Sequence, residues 1–253
     1  MRFLAAADTD TGISKSNNQD SVLIKHAKYF DDEILLAVVC DGMGGLSKGE
    51  VASAAVIRAF SKWFDEELPN ELAGYDMQVI GNAWSLILKE LNGKIREYGS
   101  NINVSMGTTF TGILFINSEY VIVHVGDCRV YFMNNSLSIL TQDQTFVARE
   151  IAHGRMTEYQ AETDPRRNIL LQCIGASPAV EPQIITGLSQ EGIYLLCSDG
   201  FRHVNTPKEI YEAYSSTYIS DRDQMHRINV ALIEQAKSRG ERDNISVILI
   251  KAQ

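Results

Sequence analysis

The chain has no CxxC pair, no surplus of positive charge and no apolar run of membrane-spanning length. Its four cysteines, Cys40, Cys128, Cys173 and Cys197, lie far apart without metal-ligand spacing. That pattern argues against zinc and against a disulfide framework, and for reduced, buried thiols in a reducing compartment. The five histidines, His26, His124, His153, His203 and His226, are equally scattered. Each reads as structural or solvated, and His124, inside VIVHV, as a histidine satisfied within a sheet. Lys and Arg number 23 against 32 Asp and Glu, a formal net charge of −9. Such a chain gives a nucleic-acid duplex no electrostatic footprint, which disfavours nucleic acid as a partner. The longest apolar run, Ile34–Cys40, is far short of the roughly 20 residues that span a bilayer. The N-terminal MRFLAAADTD meets acid at Asp8 and does not read as a signal peptide. The expectation is a cytoplasmic protein that engages no membrane. The five prolines are scattered and no linker or repeat divides the chain, so residues 1–253 read as a single domain.

What is present is an ordinary globular composition, 45% apolar and 22% charged, with clear periodicity. Strand-like runs fall at Ser21–Lys25, Glu33–Cys40, Thr108–Asn117, Tyr120–Val125, Val130–Asn134, Gln183–Thr186, Gly192–Cys197 and Ile245–Lys251. Short turns at Asn117-Ser118 and Asn134-Asn135 join neighbours as antiparallel hairpins. Helical stripes run through Gly49–Leu68, Asp76–Tyr98 and Asp221–Arg239, and place Trp63 and Trp84 on core faces. Many hairpin strands with a few long amphipathic helices predict an α+β fold, antiparallel sheets covered by helices.

The chemistry is carried by the position of the acids. Asp41 ends ILLAVVC, Asp127 follows VIVHVG, Asp199 follows YLLCS, Asp243 precedes NISVILI and Asp20 precedes SVLIK. Any one Asp-Gly pair is ordinary turn punctuation. Five strand-end carboxylates are more than turns require, and DGMGGLSKGE is longer than a turn. Glycine beside Asp41 and Asp199 permits a sharp turn or the approach of a metal to a backbone carbonyl. Carboxylates without matched His or Cys select hard cations such as Mg²⁺ or Mn²⁺, and converging carboxylates repel unless cations lie between them. Two ions about 4 Å apart are the recurrent device for water attack on phosphorus. Cations also reconcile an acidic chain with an anionic substrate.

The strings NNQDS, VVCDGMGG with GE and AS following, SMGTT, HVGDCRVY, LTQDQT, LLCSDG and RDNISVILI, in this order, resemble the motifs of metal-dependent Ser/Thr protein phosphatases (PPM type, type 2C), in the compact bacterial form. A single such motif is weak; seven in register over about Asp10 to Ile250 are specific. The resemblance implies a four-layer αββα sandwich, two antiparallel sheets flanked by antiparallel helices, with a metal centre at one end. It implies two Mn²⁺ or Mg²⁺ ions, bridged by Asp41, with the Gly42 carbonyl, Asp199 and Asp243 as further ligands and Asp20 binding directly or through water. Asp127 would bind a third, weaker ion. Asp41, Asp199, Asp243 and Lys15 form the implied catalytic set. Phosphorylated proteins, targets of a bacterial Ser/Thr kinase, are the implied partners, and a monomer is expected.

This sequence departs from the family pattern at Lys15, where the phosphate-binding residue is an arginine. Lysine keeps the charge and loses the bidentate fork, so weaker phosphate positioning is expected. Met43 stands where animal relatives carry a general-acid histidine, Cys128 replaces the usual serine, and Gln19 and Gln144 replace an acid and a histidine. Arg166 and Arg167 fall in the family's variable flap and are candidate phosphopeptide contacts, although exposed loop arginines are solvated by default. A non-catalytic phosphoprotein-binding module is the alternative from another class. A calcium-stabilised structural domain fits poorly, since no EF-hand loop is present.

Overall fold

A computed structural model describes residues 1–43, 48–215 and 219–253; Gly44 and Gly45 of the DGMGG motif lie outside them. In chain order the elements are β1 (Phe3–Asp10), β2 (Ser21–Tyr29), β3 (Asp32–Cys40), α1 (Gly49–Glu66), α2 (Leu68–Glu71), α3 (Met77–Asn101), β4 (Phe110–Ile116), β5 (Glu119–Val125), β6 (Arg129–Met133) and β7 (Leu137–Ile139). They continue as α4 (Phe146–Ala152), α5 (Glu158–Thr163), β8 (Gln183–Leu188), β9 (Gly192–Cys197), α6 (Asp199–Arg202), α7 (Pro207–Ser215), α8 (Arg222–Ser238) and β10 (Ile245–Ala252). The strands form two five-stranded antiparallel sheets, ordered β1-β10-β9-β6-β7 and β2-β3-β4-β5-β8.

Strand alternation divides the interior into three apolar layers. Along β3, Ile34, Leu36, Val38 and Cys40 pack with Phe60, Trp63 and Trp84 of α1 and α3. The intervening Leu35, Ala37 and Val39 meet Tyr194, Leu196, Ile248 and Ile250 of the opposite sheet. The outer faces of β9 and β10 contribute Leu195, Cys197, Val247 and Leu249 to a third layer with Ile210, Met225, Leu232 and Ile233 of α7 and α8. Burial on both faces explains why the central strands read as unbroken apolar runs. The expected sandwich of two sheets between helices is present. All four cysteines are free and buried, and the Trp63 and Trp84 rings meet edge-on at 5.3 Å.

Asp76 and Asp221 cap the long helices α3 and α8, accepting from the backbone N–H groups of Gln78 and Val79 and of Gln224 respectively, as N-cap acids do. The N-terminal strand β1 was not legible. FLAAADTD is alanine-rich, and it becomes a strand because it pairs with β10 from Phe3↔Ala252 to Asp10↔Ile245, tertiary context overriding weak propensity. His124 is half of what the sequence suggested: Nδ1 lies 2.8 Å from Thr111 Oγ1, but the buried Nε2 finds no partner of good geometry among the described residues. Burial pushes its pKa down to about 4, so it stays neutral near pH 7. Among the described residues no helix is long and apolar enough to cross a membrane.

Candidate functional site

The strand registers carry all five singled-out aspartates to one end of the sandwich. Ser21↔Cys40 pairing sets Asp20 beside Asp41. In the facing sheet, Val247↔Cys197 and Arg129↔Cys197 gather Asp243, Asp199 and Asp127 around the end of β9. The Asp41 carboxylate is repelled by Asp20, Asp199, Asp127 and Asp243, in that order, so the two sheets contribute to one cluster.

The remaining motif residues hold this cluster in place. Asp41 N–H donates to Thr109 Oγ1 at 2.9 Å, while its carbonyl accepts from Thr108 Oγ1 at 2.9 Å and Thr109 N at 2.8 Å. SMGTT therefore acts as the clamp on Asp41. Ser53 Oγ donates to the Gln19 carbonyl at 2.6 Å, and Gln19 Nε2 donates to Glu50 at 3.2 Å, which ties the start of α1 to the Asp20 loop. Asn244 Oδ1 accepts from Gln19 N at 2.9 Å, and its Nδ2 donates to the carbonyls of Thr11 and Asn17. Gln144 Oε1 accepts from Gly126 N at 2.8 Å, holding the turn before Asp127. Cys128 Sγ lies 3.2 Å from Thr109 Oγ1 beneath Asp41.

Two glycines are fixed by close backbone approach. A Cβ on Gly42 would stand 2.4 Å from the Gln19 carbonyl oxygen and 2.8 Å from the Gly49 backbone. A Cβ on Gly200 would stand 2.3 Å from the Asn244 carbonyl oxygen. Neither obstacle is a flexible side chain. Gly42→Ala is therefore expected to cost about 1–3 kcal/mol as overpacking, read as a lowered Tm. An unchanged Tm would contradict that geometry.

Electrostatically, the cluster is incomplete without positive charge. Asp20 is 8% exposed, and among the described residues neither carboxylate oxygen has a partner of good hydrogen-bond geometry. Burial, with repulsion from Asp199 and Asp243 only partly offset by the nearby Ser246 and Ser198 hydroxyls, pushes its pKa up to about 7. Burial and then Asp199 push Asp127 up to about 7, against the relief given by Arg202. Asp41 is raised well above the carboxylate range, first by burial and then by its four acidic neighbours. Asp199 Oδ1 is also buried without a partner among the described residues. Unpaired hard-oxygen donors fit a divalent cation. Among the described residues no three acidic, histidine or cysteine side chains form a closed ligand cage.

A sequence profile for "Protein phosphatase 2C" matches residues 12–234. The chain belongs to the protein phosphatase 2C family. It is 34% identical over 248 residues to the Ser/Thr protein phosphatase PstP of Mycobacterium tuberculosis, covering 96% of this chain and 44% of that protein; the chain spans less than half the length of that relative. Its fold superimposes on the Ser/Thr phosphatase Stp1 of Staphylococcus aureus with a TM-score of 0.87, at 27% identity, covering 100% of this chain and 96% of that one. It also matches the catalytic domain of PstP in complex with two manganese ions, with a TM-score of 0.77 and 30% identity over 98% and 97% of the two chains.

In this 2C-family chain a cavity of about 900 Å³ opens beside Asp243 and is lined by Lys15, Arg167, Arg202 and His203 among others. Lys15 Nζ lies 2.9 Å from Asp243 Oδ1. Burial opposes its charge, but Asp243, Asp41 and Asp199 together hold its pKa above the ordinary lysine value. The two flap arginines separate. Arg167 lines the cavity. Arg166 instead binds Asp164 through two bonds of 3.0 and 2.8 Å and stacks 4.3 Å over the Phe146 ring.

Three neighbours of the cluster were missed in sequence. His203 bridges Asp199 Oδ2 and Glu241 Oε2, 3.3 Å from each, and Glu241 Oε1 accepts from the N–H groups of Arg242 and Asp243. Arg202 reaches Asp127 and Asp143. The available signal was their position: Arg202 and His203 follow Asp199 by one helical turn, which carries them back toward the site.

Proposed function

We propose that the chain hydrolyses phosphoserine and phosphothreonine in proteins with two divalent cations, Mn²⁺ or Mg²⁺, held by Asp20, Asp41, the Gly42 carbonyl, Asp199 and Asp243. The observation that carries this reading is the convergence of buried carboxylates, with unpartnered oxygens on Asp20 and Asp199, at one end of the sandwich. When bound, the cations supply Lewis acidity to the phosphoryl oxygens and to the attacking water. The protein's own part is to position. Thr108 and Thr109 fix the Asp41 backbone, and His203 holds the outer oxygen of Asp199. Lys15, at the cavity wall beside Asp243, offers a point charge to the phosphate. Met43 contributes no titratable group to the leaving oxygen, so that proton comes from water or another group. No side-chain nucleophile is required, and the buried cysteines take no part.

Substrate recognition falls to the cavity wall. Arg167→Glu is expected to raise KM for a phosphothreonine peptide by roughly tenfold, equivalent to about 1.4 kcal/mol. Arg166→Glu should change it much less, because that guanidinium is held by Asp164 and Phe146. Equal effects from both would remove the distinction. Lys15→Arg should maintain or raise kcat/KM, since arginine adds a second parallel bond to phosphate; a large fall would exclude Lys15 as the phosphate contact. The substrates on this reading are phosphoproteins made by a bacterial Ser/Thr kinase, and the chain acts as a cytoplasmic monomer in one catalytic domain.

The test is phosphate release from a phosphothreonine peptide in Mn²⁺, in Mg²⁺ and in EDTA. Turnover that requires a metal supports the reading. Stoichiometric peptide binding without release, with metal bound, would favour a phosphoprotein-binding role instead.

A further inference from the structure

We propose that the Arg202 guanidinium takes the place of a third cation at Asp127, so that this chain's centre is completed by two metal ions and one built-in positive charge. The inference rests on the two-ion reading above and concerns the carboxylate which that reading leaves over.

Arg202 closes the four-residue helix α6, which begins at Asp199. Phe201 beside it is fully buried in the apolar layer under α7 and α8, which anchors the turn. From there Arg202 Nη2 donates to the Asp127 carbonyl at 3.0 Å and stands 3.6 Å from Asp127 Oδ2. The same nitrogen lies 3.3 Å from Asp143 Oδ2. Asp143 is already satisfied: Arg129 grips both of its oxygens, each at 2.8 Å. Asp127 has no such second partner among the described ion pairs, so Arg202 is its counter-charge.

The pair is shielded. The Arg202 side chain is 14% exposed and that of Asp127 10%. Arg202 Nε is buried without a hydrogen-bond partner among the described residues, so charge attraction to the acids holds the guanidinium here, not a completed set of hydrogen bonds. A guanidinium keeps its charge at every accessible pH. Any divalent cation bound to Asp127 would have to displace this charge or sit beside it at like-charge distance, where repulsion in a shielded site is strong. Lysine or a neutral residue at position 202 would lack either the reach of the planar fork or the charge.

The experiment is Mn²⁺ equilibrium dialysis at saturating metal, counting ions per chain, on wild type, Asp127→Asn, Arg202→Met and the double variant. Wild type and Asp127→Asn should both hold two ions. Arg202→Met should hold three, and the double variant should return to two. A third ion in wild type that disappears in Asp127→Asn would overturn the proposal, as would Arg202→Met holding only two. If Arg202→Met fails to fold, the wild type and Asp127→Asn comparison decides alone. Fewer than two ions in wild type would overturn the two-ion reading beneath it, which is a different result from a third ion.

Discussion

Asp199→Asn should abolish phosphate release from a phosphothreonine peptide in saturating Mn²⁺ while leaving the fold intact. Loss of a group that merely orients a metal ligand costs about 10–100-fold. Loss of a ligand itself should exceed that, about 10³-fold or more, which is about 4 kcal/mol of barrier. The fold should not suffer, because Asn fills the same space and removes one like charge from the cluster. Asp20, Asp41 and Asp127 are each repelled by Asp199, so the Tm in EDTA should hold or rise. Asp41→Asn should behave alike. Wild-type turnover in Asp199→Asn would sink the assignment of that carboxylate to the metal centre.

In EDTA the protein should lose stability as pH rises from about 4 to about 7, a direction opposite to that of ordinary salt-bridged carboxylates. The sign follows from burial. Asp20 and Asp127 are pushed up from 3.8 to about 7 in the fold, so the folded chain binds their protons more tightly than the unfolded chain does. Stability is greatest below the unfolded value and declines until the folded value is passed. At about 1.4 kcal/mol per unit, each group could cost up to about 4 kcal/mol, less in sum because they share neighbours. For a chain of this size that is a Tm drop on the order of 10 °C between pH 5 and 8. Mn²⁺ should offset the Asp20 share of the loss, adding about 2.7 kcal/mol at a hundredfold excess over Kd. A metal-free Tm that is flat across this range, or that rises, would show that these carboxylates are not charge-frustrated.

The central architecture was legible because the strands that make it are buried on both faces. ILLAVVC and VILI could only be core strands, and the aspartates at their ends could only fall where those strands stop. The long helices were legible from their stripes, to which the structure adds Asp76 and Asp221 as N-cap acids. β1 was illegible because three alanines say little, and its strand state comes from β10 at the far end of the chain. The short helices of the flap carry too few residues to show a period. The same contrast runs through the site. The ligand candidates stand in motifs next to strands, so their places follow from the sequence. Arg202 and His203 stand one helical turn after Asp199, but their further partners, Asp127 and Asp143 for the first and Glu241 for the second, lie across the fold. Arg166 and Arg167 are neighbours in sequence with different surroundings in space: Asp164 and Phe146 hold the first, and the Glu162 carbonyl accepts from the second at 3.0 Å.

The most direct test of the metal centre is an anomalous diffraction map, recorded at the manganese edge from crystals grown with Mn²⁺. Two peaks are predicted at the open end of the sandwich, both beside Asp41 and within the set formed by Asp20, Gly42, Asp199 and Asp243. Strong peaks confined to other acidic surfaces, with none beside Asp41, would contradict the account.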